Sequence, residues 1–215
     1  NEVVSLLKPD AIYHLAGISF VPQGEKDTNQ IFAVNLFGTT NLLDAVLNYS
    51  RSSRVLFVSS AEVYGSPRPG GLPFTENSEL RPISAYGVTK AAADLSAFRC
   101  WFREQMHIVR VRPFPHIGPG QSDSFALSGF AKQIAAIKLG QQSPVIQVGS
   151  LDPKRDYSDV SDIVRGYREA LLNGKPGEAY NLCFGESLSI GEWLQMLIKL
   201  AGIEVELAQD ASRVR

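Results

Sequence analysis

Apolar and polar residues along this chain switch between two periods, and the switches mark out its elements. Residues 2–7 open in a helical pattern. The run Asp10-Ala-Ile-Tyr-His-Leu-Ala16 is short, apolar and ends at Gly17, the signature of a buried strand. From 27 to 49, Ile31, Val34, Leu36, Leu42, Leu43 and Val46 recur at helical spacing. Residues 54–59 read as a second buried strand, and 107–112 alternate and then stop at Pro113. Loops rich in Pro and Gly fill 65–83 and 115–124. The spacing predicts further helices over 84–105, with Ser84 as N-cap, and over 125–139, 159–172 and 189–201, the last closed by Gly202. Short strands fall at 145–148, 178–183 and 204–207. Strands alternating with helices imply right-handed crossovers, and so an α/β fold with a doubly wound, mainly parallel sheet.

In such folds ligands bind beyond the carboxyl ends of the strands. Three strand ends carry candidate chemistry: Ala16-Gly17, Ser59-Ser60-Ala61-Glu62, and Pro113 to His116. The formal net charge of −1, with signs mixed along the chain, argues against nucleic-acid partners and against a polybasic membrane patch. No apolar run reaches the ~18 residues of a membrane span. Cys100 and Cys183 lie in apolar segments without metal-ligand spacing, and read as two buried, reduced thiols in a cytoplasmic protein. His14, His107 and His116 share no metal-binding spacing, so no metal is expected, and only His116 falls near the inferred site.

Tyr86 and Lys90 are the most informative pair. Four apart on a helix, they project from one face. A lysine ammonium one turn from a phenol favours the phenolate, so the pair reads as an acid/base able to move a proton at a hydroxyl or carbonyl oxygen.

The surrounding motifs are YHLAG (13–17), VNLFGT (34–39), SSAEVYG (59–65), YGVTK (86–90), VRPFPHIGPGQ (111–121) and RDYSDVSDIV (155–164). In this order they resemble the extended short-chain dehydrogenase/reductases that act on nucleotide sugars, whose sheet is of the Rossmann type. The stretches from Gly118 to Gly140 and from Pro144 to Tyr167 are most similar to GDP-4-dehydro-6-deoxy-D-mannose reductases, with the GDP-mannose 4,6-dehydratases as neighbours. The resemblance implies reduction of a 4-keto-6-deoxy nucleotide sugar with NADP or NAD as cofactor. Tyr86 would be the general acid, Lys90 would lower its pKa and bind the nicotinamide ribose, and Ser60 would polarise the carbonyl. Ala16, Gly17, Asn35, Ser59, Pro113 and His116 would line the cofactor. Glu62 would join Ser60, Tyr86 and Lys90 as a catalytic residue, and Ser19, Ser60, Glu62, Pro115, Lys132 and Arg155 would meet the GDP-sugar. Asn35 would order a water or backbone near the Tyr/Lys pair. Local alternatives stand beside these roles: a solvated helix face for Lys132, and a surface ion pair with Asp156 or Asp159 for Arg155. The resemblance also implies a homodimer formed through helices 27–49 and 84–105.

Four departures from the family's pattern matter. Ala61 stands where dehydratases carry Asp or Ser, which favours carbonyl reduction over elimination. Pro115 replaces an Asn, and Ser150 replaces another. No Gly-rich pyrophosphate turn occurs. The expectation is therefore an incomplete Rossmann part over 1–113, lacking its N-terminal strands. Residues 114–215 hold the last Rossmann elements and a small α/β substrate-binding region. A dehydratase or 4-epimerase, and a non-catalytic nucleotide-sugar-binding remnant, are the alternatives.

Overall fold

The computed structural model describes residues 2–19 and 25–211. Along the chain run α1 (Glu2–Leu7), β1 (Ala11–His14), α2 (Thr28–Ile31), a π-helical segment Phe32–Phe37, α3 (Gly38–Tyr49), β2 (Arg54–Val58), α4 (Ala85–Glu104), β3 (Ile108–Pro113) and β4 (His116–Ile117). There follow α5 (Ala126–Lys138), β5 (Val145–Val148), β6 (Lys154–Arg155), β7 (Ser158–Asp159), α6 (Val160–Asn173), β8 (Ala179–Leu182), β9 (Leu188–Ser189), α7 (Ile190–Ala201) and β10 (Glu206–Gln209). The helices fall where the periodicity puts them. The two-residue strands are too short to carry a period, and β10 begins two residues later than the pattern suggests.

The chain forms two compact units, one of residues 1–114 with 162–182, the other of 115–161 with 183–215. In the first, β1, β2, β3 and β8 lie side by side in that order, every pair parallel. Alternate residues of one strand face opposite layers. Val55 and Phe57 of β2 join Leu43 and Val46 of α3 and Ala93 and Ala97 of α4 in one core. Leu56 and Val58 join Ile163, Tyr167 and Leu171 of α6 in the other. Helices on both faces of a parallel sheet make this the doubly wound fold the pattern implies.

In the second unit, β5 and β10 pair in parallel, β4 pairs with β7, and β6 pairs antiparallel with β9. Its core is formed by Leu127, Phe130 and Ile134 of α5, Ile146 and Val148 of β5, and Ile190 and Leu194 of α7, with Trp193 partly buried against it. A capping box starts α7: the Ser189 hydroxyl accepts from the Glu192 amide while the Glu192 carboxylate takes the Ser189 amide. The thiols divide. Cys100 is buried in the first core, but Cys183 is exposed just past the end of β8, correcting the expectation of two buried thiols.

Candidate active site

Helix α4 carries the candidate chemistry on one stripe. Ser84 caps it, its hydroxyl accepting from the Gly87 amide at 3.0 Å. Tyr86, Lys90 and Asp94 follow at successive turns and are 8 %, 5 % and 0 % exposed. Gly87 allows the first turn its close approach: a Cβ there would lie 2.8 Å from the Glu62 carbonyl oxygen. The helix therefore seats directly on the turn that follows β2.

Ser60 opens that turn in extended conformation, and its hydroxyl accepts from the Glu62 amide at 3.1 Å. It is also hydrogen-bonded to the Tyr86 phenol. Burial pushes the phenol's pKa up; the Ser60 bond works against this, and the half-buried Glu62 carboxylate adds to the rise. The sequence reading has Lys90 lowering it. Instead the Lys90 ammonium donates to the Val58 carbonyl at 2.9 Å and lies 5.5 Å from the centre of the Phe57 ring, and burial governs the phenol. Burial also pulls Lys90 down to about 8. Tyr86 thus stands as a protonated phenol at neutral pH, the form a general acid requires.

Ala16, Gly17 and Ser19 are exposed just past β1, and the Asn35 amide reaches that segment. Its Oδ1 accepts from the Ile18 amide at 2.8 Å, and its Nδ2 donates to the Ile18 carbonyl at 3.0 Å and to Thr89 Oγ1 at 3.3 Å. Of the two roles the resemblance gives Asn35, these bonds serve the backbone one. A Cβ on Gly17 would lie 3.0 Å from Asn35 Oδ1 and 3.5 Å from Lys90 Nζ, so glycine lets this backbone pack closely against both side chains. His14 also lies near this group, its pKa lowered to about 4 by burial and then by the Lys90 charge. The expectation that only His116 is near the site is corrected accordingly. Ser59 is buried near Asp94 and helps to lower its pKa, though its hydroxyl makes no full hydrogen bond. Pro113 ends β3, buried and in register with Leu182.

Sequence reasoning missed the ionic cluster around Asp94. Asp94 Oδ1 accepts from Arg110 Nη1 at 2.5 Å and Arg112 Nη2 at 3.1 Å, and its Oδ2 accepts from Arg112 Nε at 2.9 Å. Arg110 continues to the Gly177 carbonyl, and Arg112 to Tyr64 Oη and the Glu76 carbonyl. Burial pushes Asp94 up, but Arg112 and Arg110 outweigh it and hold the carboxyl below its usual range. Two arginines alternating in a strand buried at every position were the available signal, because buried cations demand an anion.

The second unit holds a cleft of about 270 Å³, lined by Phe125, Phe130, Tyr157, Ser150 and Arg155 among others. Arg155 lines it and is exposed. Asp156 accepts from the Phe184 and Gly185 amides, and Asp159 from Ser161, so both carboxylates have other work. Lys132 is not in the lining; it pairs with Asp123, which is. The Pro115 carbonyl accepts from the Ser158 amide, and His116 sits in β4 with its carbonyl accepting from the Gln121 side chain. Phe125 and Tyr157, aromatic walls of the cleft, had no sequence signal beyond their positions beside a loop.

Sheet order, strand-end site and Tyr/Lys helix together define the short-chain dehydrogenase/reductase class. Residues 1–214 match the GDP-mannose 4,6 dehydratase family, and the chain belongs to it. It is 39 % identical to the GDP-6-deoxy-D-mannose reductase of Pseudomonas aeruginosa over 96 % of this chain and 68 % of that protein. It is 30 % identical to the GDP-6-deoxy-D-talose 4-dehydrogenase of Aggregatibacter actinomycetemcomitans, over 100 % of this chain and 70 % of that one. The solved structure of RMD from Pseudomonas aeruginosa complexed with NADPH superposes with a TM-score of 0.92 at 38 % identity, covering 97 % of this chain and 70 % of the other.

Proposed function

We propose that this protein is an NAD(P)H-dependent reductase of a 4-keto-6-deoxy GDP-sugar. One observation carries the choice of reduction: Ala61 packs its methyl group against the apolar cluster of Val63, Tyr64 and Ala91, so the position dehydratases use for proton transfer holds no proton donor or acceptor. The remaining groups match carbonyl reduction. Ser60 donates a hydrogen bond to the carbonyl oxygen and polarises it. Tyr86 gives its phenolic proton to the same oxygen as negative charge develops there. Lys90, bonded to the Val58 carbonyl, is left to hold the nicotinamide ribose rather than to tune the phenol.

A nicotinamide cofactor, when bound, supplies the hydride. The exposed Ala16 and Gly17 backbone past β1, with Lys90 beside it, would hold that cofactor. The cleft fits a nucleoside diphosphate, with Arg155 offering a planar fork to phosphate oxygens and Phe125 and Tyr157 apolar walls to a base. These features support the reading in common with the reductase from Pseudomonas aeruginosa.

A second reading rests on Glu62. Glu62 is half-buried on the turn after β2, two residues from Ser60, and would be the group that eliminates water from a GDP-hexose. The test separates the two. Purified protein is given GDP-4-dehydro-6-deoxy-D-mannose with NADPH, and in a parallel reaction GDP-mannose with oxidised NADP. NADPH oxidation matched by a product two hydrogens heavier is expected from the first. Conversion of GDP-mannose to a keto sugar without NADPH would establish the dehydratase.

Surface chemistry supports a homodimer. Val34 and Phe37, with Val88, Leu95, Phe98 and Phe102 of α4, are exposed apolar side chains on the two helices expected to pair. A second copy would cover them, and light scattering is expected to give a dimer; a monomer at micromolar concentration overturns this. Among the described residues no helix is long and apolar enough to cross a membrane. The use of NAD(P)H goes with a cytoplasmic site, which cell fractionation checks.

A further inference from the structure

Behind Asn35 lies a hydrogen-bond chain with only one consistent set of proton positions. Thr39 Oγ1 donates to the Asn35 carbonyl at 2.7 Å. Its single proton is spent there, so the 2.8 Å contact with His14 Nε2 must be donated by the histidine. Thr89 Oγ1 likewise donates to the Tyr86 carbonyl at 2.8 Å and can only accept from Asn35 Nδ2. Asn35 Oδ1 is therefore left facing the Ile18 amide, which needs an acceptor. The orientation of Asn35 follows from its partners. His14, Asn35, Thr39 and Thr89 are 7 %, 1 %, 1 % and 0 % exposed, so water does not compete for these bonds.

The local backbone explains why Thr39 is needed. Asn35 lies in the π-helical segment, where the wider turn shifts the hydrogen-bond ladder. Its carbonyl takes the Thr39 hydroxyl, and the Gly38 amide reaches back five residues to Ala33. Phe57 packs beside the His14 ring at 5.9 Å between centres, and the Lys90 ammonium lies over the same phenyl ring.

We propose that His14 and Thr39 are positioning residues: they hold the backbone carbonyl of Asn35 in the π-helical segment, and so place the residue whose side chain clamps Ile18 against the helix of Tyr86 and Lys90. The functional half of this proposal rests on the reductase reading above. Neither residue touches the reacting atoms. Their part is to fix the Ala16–Ile18 backbone, exposed at Ala16 and Gly17, against which the cofactor would lie.

Thr39→Val keeps the shape of the side chain and removes the hydroxyl; Thr39→Ser keeps the hydroxyl. Three readouts are taken on the purified protein: hydrogen exchange at the Ile18 amide, the KM for NADPH against kcat, and the 15N spectrum of His14. One buried hydrogen bond is worth about tenfold in an equilibrium. Thr39→Val is therefore expected to speed Ile18 exchange about tenfold and raise the KM for NADPH by a similar factor, with kcat changed less. Thr39→Ser restores both to within about twofold. In the unsubstituted protein His14 is expected as the neutral Nε2–H tautomer. Unchanged exchange in Thr39→Val, equal losses in Val and Ser variants, or an Nδ1–H tautomer at His14 would each overturn the proposal. If the protein reduces no keto sugar, the reductase reading fails separately, and exchange, tautomer and NADPH affinity still decide the clamp. A Val variant that does not fold leaves the tautomer and the Ser variant's Ile18 exchange to decide it.

Discussion

The α4 site of the first unit and the cleft of the second use the same kinds of polar side chain in opposite ways. Lys90 is 5 % exposed and bonded to a backbone carbonyl, whereas the Lys132 side chain is 71 % exposed and pairs with a half-exposed Asp123. Tyr86 is buried against Ser60, whereas Arg155 extends from a two-residue strand and donates only to the neighbouring Lys154 carbonyl among its described bonds. Proton transfer needs groups fixed to within a fraction of an ångström, and burial with backbone partners supplies that. Binding a charged nucleotide tolerates adjustment, and solvated groups suffice. Substitutions on the catalytic face of α4 should therefore act on rate, and those in the cleft on affinity.

The largest effect is expected at Tyr86. Tyr86→Phe keeps the ring and removes the proton, and kcat is expected to fall by about 10²–10⁴ while the protein melts near its usual temperature. An activity loss under tenfold would assign the proton to another group, with Glu62 the first candidate. Asp94 comes next and acts through the fold. Asp94→Ala leaves Arg110 and Arg112 buried without their anion, at a cost of about 3–5 kcal/mol. Asp94→Asn, which keeps an acceptor, is expected to lose less, and urea unfolding of the two variants measures the gap.

A pH series extends the comparison to the buried histidine. Burial and Lys90 lower His14 from 6.5 to about 4, so between these values the unfolded chain binds a proton that the folded chain refuses. The contribution is intact above about 6.5 and is lost as pH falls to about 4, amounting to about 3 kcal/mol at the low end. In His14→Gln this part of the acid sensitivity is expected to disappear. An unchanged profile would place the titration elsewhere.

How far the sequence carries follows the same division. The doubly wound sheet and the grouping of Ser60, Glu62, Tyr86 and Lys90 are legible because strand ends and helix turns are local features with fixed periods. The direction of the Tyr86 pKa is not, because it depends on how deeply α4 is buried and on where the Lys90 ammonium turns, both set by packing. The Asp94 cluster joins residues of α4, β3 and the loop at Glu76, and only the alternation of Arg110 and Arg112 hints at it. The His14–Thr39 bond spans 25 residues and passes through a π-turn that apolar spacing does not distinguish from an α-turn. Gly17 is readable as a close approach, but what it approaches is visible only in the structure.

The smallest effects should come from the second unit, and their ranking tests whether exposure is the right guide there. Arg155 lines the cleft, while Asp156 and Asp159 bond to other groups, so its guanidinium remains available to phosphate oxygens. Arg155→Ala is expected to raise the KM for the GDP-sugar about tenfold with kcat held, the loss of roughly one charge-assisted contact. Lys132 points along a solvated helix face to Asp123, and an exposed pair of this kind does little in water. Lys132→Ala is therefore expected to change the KM by less than about twofold, and less still in high salt, where screening already weakens the pair. If Lys132→Ala instead matches Arg155→Ala, the lysine must leave Asp123 when nucleotide binds, and the Asp123 pair would be the resting position of a phosphate ligand. Measuring both variants at low and high salt separates these outcomes, since a phosphate contact retains a salt-dependent KM and a solvated pair does not.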